Sequence, residues 1–126
     1  MSDDSLEALI AGMWQRLAPE QRANAQRLCV ALAEVRTQLG AGEDPRAWAE
    51  VRELAHRLAG SLGSLGQHAA GREAVAMEDL TSGVEQPDDE LLLRVTAHAS
   101  ALLDRLARGA PEEPPSDGDA PPPARW

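Results

Sequence analysis

At 126 residues the chain is sized for one domain with a single modest core. Phe and Tyr are absent and only three Trp occur, so that core must come from Leu, Ala, Val and Met, mostly good helix formers. No stretch alternates apolar and polar residues with β-branched enrichment, which leaves an all-α fold. The formal charge of −9, with Arg as the only cation, argues against nucleic acid and anionic membrane as partners.

In chain order, a first short helix is expected after a cap at Ser2 to Asp4. Its apolar face is Leu6, Leu9, Ile10, Met13, Trp14 and Leu17. Pro19 then opens a second helix, where a missing amide costs little, and its stripe is Ala25, Leu28, Cys29, Leu32, Val35 and Leu39. Gly40 and Gly42 end it. A third helix starts at Pro45, carries Val51, Leu54, Leu58 and Leu65, and stops at Gly66. A fourth runs over about 67–82 with Ala70, Ala74 and Met77 inward. The fifth begins near Pro87-Asp88-Asp89-Glu90, where acidic residues suit the positive end of the helix dipole. Leu91, Leu92, Val95, Ala99, Leu102, Leu103 and Leu106 form its stripe.

Beyond Gly109 the composition changes. Six of the nine prolines lie in 111–123, and four acidic residues against Arg125 give this stretch a net charge of −3. Such a segment cannot bury enough apolar surface to offset its ordering, so residues 110–126 are expected to be a disordered acidic tail behind a bundle spanning 1–109. No apolar run is long enough to span a bilayer, and the acidic start lacks the order of a secretory signal. The lone Cys29 leaves no internal disulfide, in keeping with a reducing cytoplasm.

The chemistry-bearing stretch is Leu54-Ala55-His56-Arg57-Leu58-Ala59-Gly60-Ser61-Leu62-Gly63-Ser64-Leu65-Gly66. At about 100° per residue, Val51, Leu54, Leu58 and Leu65 fall about 140 to 180° from His56. They must face the core, so His56 faces outward. Its own face carries Ala49, Arg52, Glu53, Ala59, Gly60 and Gly63, small enough near the imidazole for a partner's active site to approach. A glycine inside a helix costs roughly 0.5–1 kcal/mol, which is seldom borne without a packing or close-approach reason. By spacing alone, an ordinary surface histidine fits as well. His68 and His98 are expected at the surface of the fourth helix and beside the stripe of the fifth. With Cys29 they lack the ligand spacing of a zinc site. Trp14 and Trp48 should pack between helices.

His56-Arg57-Leu58-Ala59-Gly60-Ser61, followed by Leu65-Gly66, resembles the signature of histidine-phosphotransfer (HPt) domains of two-component phosphorelays, H-x-L-K-G-S and then L-G. Roughly residues 5–108 are similar to the family in helix order, and Met77-Glu78 stands where the family has a Leu-Glu-like pair. The resemblance implies an up-down antiparallel four-helix bundle with an extra short N-terminal helix. It also implies that His56 accepts a phosphoryl group from a receiver-domain aspartate, or from a kinase, and passes it to another receiver. Glu78 would accept a proton from Nδ1 of His56, and Gly60 would keep the approach open. The family's lysine is replaced by Ala59, so Arg57 or Arg52 would supply positive charge in its place. The implied partners are response-regulator receiver domains and a hybrid histidine kinase, with a monomeric, cytoplasmic carrier that holds no cofactor or metal. The alternative is a helical adaptor that binds a kinase or receiver without carrying phosphate. A histidine kinase itself fits poorly, because Arg57 stands where such kinases carry an acidic residue and no nucleotide-binding domain follows.

Overall fold

The computed structural model describes residues 3–108. The helices are α1 (Asp3–Gly40), α2 (Trp48–Leu62), α3 (His68–Thr81) and α4 (Asp89–Ala107), and a short 3-10 turn, Gly63–Leu65, prolongs α2. No strand occurs among the described residues, as the composition required. The expected acidic tail at 110–126 lies outside the described residues.

Each helix packs on its neighbour in sequence, α4 closes onto α1, and among the described residues no Cα atoms of the diagonal pairs come within 8 Å of each other. The reversals are made by the residues suited to them. Gly42 and Gly66 adopt left-handed backbone at φ 74° and 81°. Glu43 N–H then donates to the Gln38 carbonyl at 2.8 Å and Gln67 N–H to the Leu62 carbonyl at 3.0 Å, satisfying carbonyls the helices leave open. At the start of α4 the Asp88 carboxylate accepts from Leu91 N–H at 2.8 Å, with Asp89 and Glu90 in the first turn. The N-terminus of α2 falls at Trp48 rather than Pro45, because Gln38 Oε1 accepts from Ala47 N–H at 3.1 Å and Pro45 is buried within the turn.

The core is built from Leu28, Leu32 and Val35 of α1, Val51, Leu54, Leu58 and Leu62 of α2, Met77 of α3, and Val95, Leu102 and Leu106 of α4. Trp14 and Trp48 are buried as expected, and Trp48 Nε1 donates to the Val84 carbonyl at 2.8 Å. Cys29 is half-buried at the edge of this core, and burial pushes its thiol pKa up.

Two expectations require correction. The sequence divides the first forty residues into two helices at Pro19, with an extra short helix in front, whereas the structure has one continuous α1. Proline there forfeits the bond to the Gln15 carbonyl, a cost of about 3 kcal/mol in an isolated helix. Pro19 and Gln15 are both exposed, so water can hydrate that carbonyl, while Trp14, Ala18, Gln21 and Ala25 are buried around it in one unbroken face. Arg22 adds a clamp: its guanidinium lies 5.7 Å from the Trp14 ring centre and its Nε donates to the Leu106 carbonyl at 3.2 Å. The second correction follows. Leu6, Leu9 and Leu17, expected in an apolar core face, are exposed, at 49% and 55% for the first two. The periodicity marks a helical face correctly, but the inward packing of α1 begins at Trp14.

Candidate functional site

Helix α2 decides where His56 goes. Val51, Leu54, Leu58 and Leu62 are buried along one side, and Ala55 and Trp48 widen that side. His56 is left pointing away, with its side chain 78% exposed. The outward phase expected from the sequence is therefore the phase observed.

Across the groove, α3 brings Glu78 to the imidazole, and Nδ1 of His56 is hydrogen-bonded to Glu78 Oε2. An ionised carboxylate can only accept, so the shared proton belongs to Nδ1. In the neutral ring Nε2 then carries the lone pair, on the side turned to solvent. Met77, directly before Glu78, is fully buried and anchors the helix that presents the carboxylate. On the same strip of α3, Gly71 lies so close to α2 that a Cβ there would sit 3.2 Å from Gly63 N. Gly63 opposite Gly71 and His56 opposite Glu78 set α2 and α3 antiparallel.

The remaining sequence candidates separate in the structure. Gly60 is exposed, and a Cβ on it would meet nothing within 4 Å, so it leaves open space beside the histidine. Ala59 is half-buried at the edge of the core. Arg57 is engaged with Glu53, one turn back, at 3.0 Å. Arg52, one turn before His56, is half-buried and makes no ion pair among the described residues. Of the two arginines it is the one with an uncommitted charge. Ser61, also part of the motif, turns toward α1, its Oγ 2.9 Å from Oε1 of the buried Gln21 and 3.0 Å from the Arg57 carbonyl. The hydroxyl ties α2 to α1 rather than serving the imidazole, and no spacing within α2 signalled it. Farther along the bundle, Arg27 of α1 holds Glu50 of α2 through two contacts of 2.6 Å, and this hydrogen bond keeps the Glu50 carboxyl below its usual range.

His68 stands at the first residue of α3, as expected. His98, half-buried on α4, has Nδ1 2.7 Å from Glu73 Oε1. Among the described residues, no group of three or more His, Cys, Asp or Glu side chains could hold a metal ion. No helix of the described residues is long and apolar enough to cross a membrane.

The arrangement offers one outward nucleophilic nitrogen, a carboxylate fixing the proton on the other, and a surface kept low by Ala59, Gly60 and Gly63. Among known families, the Hpt domain model matches residues 6–109. No curated protein and no solved structure matches the chain. A match over most of the chain, on an all-helical fold, establishes that the chain belongs to the Hpt domain family, phosphotransfer proteins of two-component signalling.

Proposed function

We propose that the protein is a phosphocarrier whose carrying atom is Nε2 of His56, exchanging phosphoryl groups with receiver-domain aspartates. The observation that carries this is the hydrogen bond from Nδ1 to Glu78 on a side chain otherwise open to solvent. The Nε2 lone pair attacks the phosphorus of an aspartyl phosphate, an N–P bond forms, and the P–O bond to the aspartate breaks. The receiver recovers a free carboxylate. Attack at Nε2 leaves the ring cationic while Nδ1 keeps its proton, and the Glu78 carboxylate beside it stabilises that charge. The reverse step returns the phosphoryl group to another receiver. Magnesium and the charge stabilisation of the transferring group belong to the receiver, so this chain contributes position and one nucleophile. Gly60 leaves room for the partner, and Arg52 supplies the positive charge that Ala59 does not. The reading takes the helices as an up-down antiparallel bundle and the carrier as a cytoplasmic monomer without independent turnover.

The test is phosphoryl acceptance from phosphorylated receiver domains by wild type and His56→Gln. Wild type should acquire an acid-labile, alkali-stable label and the variant none. A His56→Gln protein that accepts phosphate as well as wild type sinks the carrier reading and leaves a helical adaptor standing.

A further inference from the structure

A second histidine is built like the first. His98 of α4 has Nδ1 2.7 Å from Oε1 of Glu73 on α3, and its side chain is 37% exposed. An ionised carboxylate only accepts, so Nδ1 keeps the proton and Nε2 carries the lone pair. Helix α3 thus turns one carboxylate to each neighbour, Glu78 to His56 of α2 and Glu73 to His98 of α4. The surroundings repeat as well. Arginine stands four residues before each histidine and alanine three residues after it: Arg52 and Ala59 on α2, Arg94 and Ala101 on α4. On α4 the pattern goes further, since Arg94, His98, Ala101 and Arg105 occupy i, i+4, i+7 and i+11, one stripe at 3.6 residues per turn. Arg94 and Arg105 make no ion pair among the described residues, so both charges are uncommitted. Arg94 is about 6 Å from His98 along the axis. Side chains lean toward the N-terminus of their helix, so Arg105, about 10.5 Å beyond, leans back toward the imidazole.

We infer that His98 is a second phosphoryl-accepting histidine, loaded at Nε2 by a small free phosphodonor of the phosphoramidate class rather than by a receiver domain. The inference stands apart from the carrier reading of His56. The Nε2 lone pair attacks phosphorus, an N–P bond forms to the ring, and the P–N bond of the donor breaks. The donor nitrogen, already protonated, leaves as ammonia. The ring becomes cationic against the Glu73 carboxylate, and the new dianionic group is flanked by Arg94 and Arg105. Partial cover selects the donor. His56 projects at 78% exposure with Gly60 in the next turn, whereas His98 is covered for most of its surface and has the buried Leu102 there. Such an imidazole does not reach into another protein's active site, but a free small molecule reaches it.

The experiment uses the full chain carrying His56→Gln, with phosphoramidate as donor and tandem mass spectrometry to map the label. His68, at the first residue of α3 and without a carboxylate partner among the described residues, is the internal control. An acid-labile label should appear on His98 at least fivefold faster than on His68. Arg94→Ala, on an exposed side chain, should slow labelling of His98 at least threefold at an unchanged melting temperature, and Arg94→Lys should restore it. Glu73→Gln keeps an oxygen to accept from Nδ1 but loses the charge, and should slow it as well. Mapping the label on intact His98 keeps the test independent of whether a variant at that half-buried position folds. No label on His98, or labelling no faster than His68, overturns the inference. So does a His98 rate that neither Arg94→Ala nor Glu73→Gln changes.

Discussion

His56 and Glu78 stand 22 residues apart in sequence and share a hydrogen bond from Nδ1 to Oε2 across the α2–α3 groove. One consequence is measurable on the ring itself. On the carrier reading, Glu78 holds the proton on Nδ1 and leaves Nε2 free to attack. Glu78→Ala removes that bias and the orientation it gives, and transfer should fall by about tenfold, equivalent to about 1.4 kcal/mol in the barrier. Ring-nitrogen chemical shifts should show the Nδ1–H tautomer losing population in the same variant. Unchanged shifts and an unchanged rate would make the contact incidental.

Leu58 and Gly60 separate stability from docking on one helix. Leu58 is fully buried, so Leu58→Ala should cost roughly 2–5 kcal/mol through lost burial and the cavity left behind. Gly60 faces open space, and Gly60→Gln should leave the melting temperature level or slightly raised, since glycine is a poor helix residue. Transfer from a receiver should nonetheless collapse, because the new side chain stands beside His56. Denaturant unfolding of both variants checks the first half and receiver-dependent labelling the second. Equal stability losses would mean the helical phase is misassigned.

Position 59 tests the role of charge. A cation beside the imidazole favours a dianionic phosphoryl group, modestly at so exposed a site. Ala59→Lys should shift the equilibrium with a receiver toward phosphohistidine by a few-fold. Arg52→Ala should shift it the other way, and Arg57→Ala less, since Arg57 is already committed to Glu53. The ratio of phosphohistidine to aspartyl phosphate at equilibrium reads all three. Should none of them move it, local charge does not tune the site.

Residues 110–126 have the composition of a segment that contributes no core. The cluster of buried core residues lies within residues 14–106. A chain ending at Gly109 should melt within a few degrees of the full chain and exchange phosphate at the same rate. A drop in either would assign the tail a packing or docking role.

Much of this was legible in one dimension. Apolar spacing marked the helices that became α2, α3 and α4, glycine and acidic residues marked ends at Gly42, Gly66 and Asp88, and the phase of Val51, Leu54 and Leu58 turned His56 outward. These are properties of a single helix, set by 3.6 residues per turn and by which side chains prefer water. Glu78 was reached through family resemblance, since no periodicity within α3 says which residue of α2 it will oppose.

What needed the tertiary structure were relations between elements. Pro19 reads locally as a helix start, yet burial of Trp14, Ala18 and Gln21 on both sides of it holds α1 continuous. Leu6 and Leu9 have the spacing of a core face but stand exposed, because inward packing of α1 begins only at Trp14. The commitment of Arg57 to Glu53, the tie from Ser61 to Gln21, and the groove between Ala59 and Val75 were likewise undecided. A sequence fixes the angle of each side chain about its own helix axis. Which side chains then meet depends on the offset between helices along their axes, and that offset is set by how all four faces close on one core.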